Sequence, residues 1–136
     1  MIKRFTLLAL LLTCSLVSGC KKDTQINSVI AELDSFTTDL VKKVESAPNP
    51  AAGVDDAQKF LDSKRSDLTA KIASLKDIRG YQVSEDTRKK MTSTLINDVN
   101  RVSGLQIKYI ATSMRDAAFK AKLEKLTRDY QNLFKL

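Results

Sequence analysis

Apolar residues recur at helical spacing in four separate stretches of this chain, and nowhere do they alternate as in a half-buried strand. From about Gln25 to Ser46, Ile26, Ile30, Leu33, Thr37, Leu40 and Val44 fall on one narrow stripe, which Val29 and Val41 widen. The segment Ser46-Ala47-Pro48-Asn49-Pro50-Ala51-Ala52-Gly53 then holds both prolines of the chain, and proline cannot sit inside a helix without breaking it. A second helix is expected from about Ala57 to Arg79. Asp55 or Asp56 would open it, Leu61, Leu68, Ile72 and Leu75 share one face, and Gly80 stands where a C-cap belongs.

Ser84 reads as the N-cap of a third helix, with Glu85 and Asp86 in the first turn, where the helix dipole favours acids. This helix runs to about Thr112, with Met91, Leu95, Val99, Val102, Tyr109 and Ile110 inward and a bend expected near Ser103-Gly104. Ser113-Met114-Arg115-Asp116 has the spacing of a capping box. A fourth helix then reaches about Phe134, with Phe119, Leu123, Leu126, Tyr130 and Leu133 on its stripe.

Helices of ~20–28 residues are ~30–40 Å long, and similar lengths joined by short breaks favour a bundle. The expected fold is therefore all-α, an up-down four-helix bundle over residues 25–136. If the third and fourth helices run on without a turn near Ser113, a three-helix coiled-coil hairpin results instead. Leu33, Leu40, Leu68, Ile72, Leu95, Val99, Val102, Leu126 and Tyr130 are the expected core.

The first twenty residues follow a different pattern. Met1-Ile2-Lys3-Arg4 carries two cations, Phe5 to Val17 is almost unbroken apolar sequence, and Ser18 and Gly19 lead into Cys20. Charged start, short apolar run and small residues make a secretory signal. The run is too short for a helix across ~30 Å of hydrocarbon. With the cysteine directly behind the small pair, the segment resembles the lipobox of bacterial lipoproteins. That resemblance implies cleavage between Gly19 and Cys20, a lipid on the Cys20 sulfur and acylation of the new amino group. Residues 1–19 would be removed, and 20–24 would form a lipidated tether to the membrane. The alternative is an ordinary cleaved signal peptide, since Val17-Ser18-Gly19 also suits general signal peptidase.

Cysteine usage fits lipidation. Cys14 lies inside the removed segment, so the mature chain of 117 residues keeps one cysteine and no internal disulfide. Each buried methylene of an acyl chain contributes ~0.8 kcal/mol, and three chains would hold the protein permanently. Among lipoproteins, Lys21 in place of an aspartate favours the outer membrane, facing the periplasm. Surface display and the single membrane of a monoderm host stay open.

The chain has no histidine, and lipidation leaves no free thiol. That removes the commonest general base, the cysteine nucleophile and zinc or copper ligation by these side chains. Asp55-Asp56 and Glu85-Asp86 stand at expected helix starts, where acids cap, and Glu32 and Asp39 match no calcium loop. Neither a nucleophile motif nor a phosphate-cradling glycine loop occurs. No enzyme, cofactor or metal is expected.

Charge is uneven. Cys20 to Val83 is neutral overall, while Ser84 to Leu136 carries a net +5. Lys90, Arg101, Lys108 and Arg115 share one side of the third helix and are expected to form an outward basic stripe. Two functions follow as expectations. One is a non-catalytic, membrane-anchored envelope lipoprotein whose helical body binds a protein partner as adaptor, inhibitor or accessory subunit. The other is a binder of anionic lipid, lipopolysaccharide or cell-wall polymer through the stripe. Nucleic acid is not expected as a partner of an exported protein.

Overall fold

Pro50, rather than an aspartate, opens the second helix. In the computed structural model, which describes residues 20–76, 78 and 82–135, α1 spans Cys20–Glu45 and α2 spans Pro50–Lys76. The expected signal segment 1–19, including Gly19, lies outside the described residues, as does the Gly80 cap. Asn49 caps α2 by accepting the Ala51 N–H at 2.9 Å. Proline at the first helical position loses no bond, because that N–H has no partner within a helix. The turn between α1 and α2 is consequently shorter than the proline spacing suggests, and Asp55 and Asp56 lie inside the helix instead of starting it. Gly53 permits this tight corner: a Cβ there would stand 2.8 Å from the Lys43 carbonyl oxygen and 2.9 Å from that of Val44. Residues 20–24, expected as a tether, form the first turns of α1.

Ser84 caps α3 (Glu85–Lys108), its Oγ accepting the Thr87 N–H at 3.2 Å. The helix passes through Gly104 and turns only at Tyr109 (φ −104°, ψ 21°). A six-residue helix, α4 (Ile110–Arg115), follows. Asp116 is extended, and its carboxylate accepts the Phe119 N–H at 2.9 Å to cap α5 (Ala117–Asn132). The capping box expected at Ser113 does not form. Ser113 stays helical, its N–H bonded to the Tyr109 carbonyl at 2.9 Å, and the cap passes to the residue whose backbone actually leaves the helix. The third and fourth helices therefore do not merge into a rod.

The result is an all-α helical bundle. Directions alternate along the sequence, but the neighbours are not all antiparallel. Helix α1 packs on α2 and α3, and α5 packs on α2, α3 and α4. Asp23 meets the start of α3 and Glu45 its end, so α1 and α3 run parallel. Asp55–Lys122 and Arg65–Asp129 show the same for α2 and α5. Helices α2 and α3, consecutive in sequence, thus lie across the bundle diagonal from one another.

Among the described residues the buried core runs from Ile26 to Leu133. Leu40, Val44, Leu61, Val102, Leu105, Phe119, Leu123, Leu126 and Tyr130 are fully or almost fully buried. Leu33 and Leu68 are buried as expected, whereas Ile72, Leu95 and Val99 are half-buried at the core's margin. Ile110, expected inward, is exposed because the Tyr109 turn rotates the following helix. Across the diagonal, Tyr130 and Thr37 share a buried hydrogen bond of 2.6 Å. Thr37 already donates to the Leu33 carbonyl at 2.8 Å, so Tyr130 is the donor. At 16 residues, α5 is ~24 Å long against ~39 Å for α1, and it covers only the end of the bundle remote from Cys20.

Candidate functional site

The basic stripe is largely neutralised where it meets α1. Arg101 is half-buried and bridges helices, its Nη1 lying 3.0 Å from Asp34 Oδ1 and 3.3 Å from Asp98 Oδ1 while Nη2 donates to Thr38 Oγ1 at 2.8 Å. Lys108 Nζ stands 2.7 Å from Glu45 Oε1. The Glu45 carboxylate beside it holds the Lys108 ammonium above its ordinary pKa. Contrary to the expectation from sequence, Arg101 is drawn into the α1–α3 seam, and Lys108, though exposed, is tied to an α1 carboxylate. The physical reason is that α3 lies beside α1, so a direction that looks solvent-facing on a helical wheel points along the α1–α3 seam. Lys90 and Arg115 remain exposed, and they lie near opposite ends of the line.

Four of the acidic residues singled out from sequence, Glu32, Asp55, Asp56 and Glu85, face cations. Glu85 and Asp86 sit in the first turn of α3, and Glu85 meets Lys89 at 2.7 Å. Asp55 meets Lys122 of α5 at 2.7 Å, Asp56 lies 3.6 Å from Lys59, and Glu32 pairs with Lys71. Among the described residues no group of three metal-ligating side chains comes together.

Behind Arg101 lies a buried carboxylate that sequence reading missed. Asp98 is fully buried on α3, and its Oδ2 has no hydrogen-bond partner. Burial pushes its pKa up to about 6; the Asp34 charge adds to the shift and the Arg101 guanidinium opposes it. The signal was present in the sequence, because Asp98 precedes Val102 and Leu105 at helical spacing on the inward face. Burial also holds the Tyr130 hydroxyl well above the usual phenol range.

The feature with the chemistry of a binding surface is elsewhere, at the α3–α4–α5 corner. Ile107 is 77% exposed, Ile110 59% and Met114 83%. They stand at i, i+3 and i+7 and line one wall of a groove of about 590 Å³. Leu123 is buried at its floor, and Lys120 and Glu124 of α5 form the other wall. The Tyr109 turn creates this surface. Tyr109 itself packs inward against Phe119, ring centroids 5.8 Å apart, and so turns Ile110 and Met114 away from the core. The sequence signal is a second apolar series, 107–110–114, out of phase with the inward 98–102–105–109 line, which is buried up to Leu105 and half-buried at Tyr109.

The expected lipidation residue, Cys20, opens α1, and none of the described helices is long and apolar enough to cross a membrane. Groove and Cys20 therefore occupy opposite ends of the bundle, since the α1 end at Glu45 meets the α3 end at Lys108. Comparison with protein-family models, curated proteins and solved structures finds no match to this chain.

Proposed function

We propose that this protein is a non-catalytic envelope lipoprotein, anchored through Cys20, whose helical body binds a protein partner at the α3–α4–α5 groove. The observation that supports the partner reading is the exposed Ile107–Ile110–Met114 wall. Three large apolar side chains on adjoining turns lose solvation free energy only when another surface covers them, and such patches mark interaction sites. The alternative of an anionic lipid, lipopolysaccharide or cell-wall polymer loses support, because Arg101 and Lys108 already face α1 carboxylates. Lys90 and Arg115 alone give few contacts to a phosphate array.

The anchor comes from the lipobox order of residues 5–20 and from the lone cysteine of the mature chain. Outer-membrane placement facing the periplasm rests on Lys21. With α1 starting at Cys20, the body would join its lipid without a flexible tether. Intact mass of the protein extracted from host membranes should exceed that of Cys20–Leu136 by a diacylglyceryl group, with or without a third acyl chain. An unmodified Cys20 thiol refutes the anchor.

The partner reading is checked in the same membranes with a photo-crosslinking residue at Met114 or at Lys90. The Met114 variant should give discrete protein adducts and the Lys90 variant none. Adducts with phospholipid, lipopolysaccharide or glycan alone, or protein adducts stronger from Lys90, would overturn it.

A further inference from the structure

We infer that the occupant of the groove is a second copy of this chain, in a two-fold symmetric dimer. This deepens the reading of the groove as a protein-binding surface and rests on it. A two-fold axis in the plane of the contact, crossing the groove at its middle and perpendicular to α5, sets the facing helices antiparallel. Ile107 then faces the partner's Met114, and Ile110 faces the partner's Ile110. On the other wall Lys120 faces the partner's Glu124, and Glu124 the partner's Lys120.

The charges of the α5 wall carry the choice of occupant. Lys120 and Glu124 are both half-exposed and stand 3.7 Å apart, a loose contact within one helix. Lysine placed before glutamate at i, i+4 is also the less favourable order of such a pair. Each side chain therefore retains most of its capacity for a second ion pair. One cation and one anion, a single turn apart beside an apolar wall, make a surface that complements itself under two-fold rotation. A uniformly acidic or uniformly basic partner would meet one like charge. Symmetry also puts both Cys20 ends at the same height along the axis, so two anchored copies can meet on one membrane.

The test uses the chain from residue 20 with Cys20→Ser, the form that the proposed processing leaves, and the described core residues all lie between Ile26 and Leu133. For so small a contact, sedimentation equilibrium should give a dimer with Kd of roughly 1–100 μM. Ile110→Glu should leave a monomer whose circular dichroism matches wild type. Lys120→Glu and Glu124→Lys should each weaken self-association at least tenfold, through two like-charge contacts per dimer. Mixed one to one, those two variants should recover a heterodimer near wild-type affinity, because each copy supplies the charge that its partner lacks.

A wild-type chain that stays monomeric to 0.5 mM, a dimer insensitive to Ile110→Glu, or a mixture that stays monomeric would each overturn the inference. Failure here leaves a Met114 adduct with a different protein intact. Loss of the Met114 adduct in membranes would instead remove the docking reading itself.

Discussion

Leu126→Ala should cost about 2–5 kcal/mol of stability, the range for a leucine truncated in a packed core. Leu126 is completely buried on α5 and belongs to the apolar cluster that joins all the long helices. Neighbours held by four helices cannot collapse fully into the space left, so the residual cavity adds to the lost transfer free energy. Leu95→Ala, at a half-buried position of α3, should cost about half as much, because part of that side chain already faces water. Urea unfolding of the two variants gives the comparison, with m-values checked for constancy. Equal losses would mean that α3 and α5 are rotated from the positions described.

Fold class and the four long helices were legible because they depend only on periodicity, whereas the short α4 was not. Leu33, Leu40, Leu68, Val102, Leu126 and Tyr130 repeat at a spacing that only a helix turns to one side, and all are buried. What periodicity does not carry is which helices become neighbours. Val99 and Leu95 lie on the expected face of α3, yet they reach only the core's margin, because α5 is too short to cover the full length of the bundle. Arg101 and Lys108 looked outward for the same reason. They share one side of α3, but periodicity does not place α1 and its carboxylates beside them.

Helix boundaries were less legible where two signals competed. Pro48 and Pro50 both suggested a break, but Pro50 with Asn49 before it is a helix start. Ser113 and Asp116 both suit a cap, and the backbone at Asp116 decided between them. The groove was hidden in the same place. Sequence phase put Ile110 with Tyr109 on the inward face, and only the turn at Tyr109 separates them, leaving Ile110 and Met114 on the surface.

Asp98→Asn should raise stability at neutral pH and remove part of its dependence on pH. The carboxyl of Asp98 is raised to about 6 from an ordinary value of 3.8, so the folded chain holds this proton more tightly than the unfolded chain. Below pH 3.8 both states are protonated, and Asp98 then contributes its full stability. As pH rises from there to about 6, the unfolded chain ionises first and stability falls. At 1.36 kcal/mol per pH unit the loss reaches about 1–3 kcal/mol by pH 7, allowing for relaxation around the buried charge. Asparagine keeps the shape and an acceptor for Arg101 but never ionises, so Asp98→Asn escapes this loss. Unfolding free energies of wild type and variant, measured from pH 3.5 to 7.5, should coincide at the acid end and diverge in favour of the variant above pH 6. Asp23 and Asp129, whose pKa values are lowered, act in the opposite sense in both proteins and cancel in the difference. A variant less stable than wild type at pH 7.5 would mean that ionised Asp98 gains more from Arg101 than burial takes away.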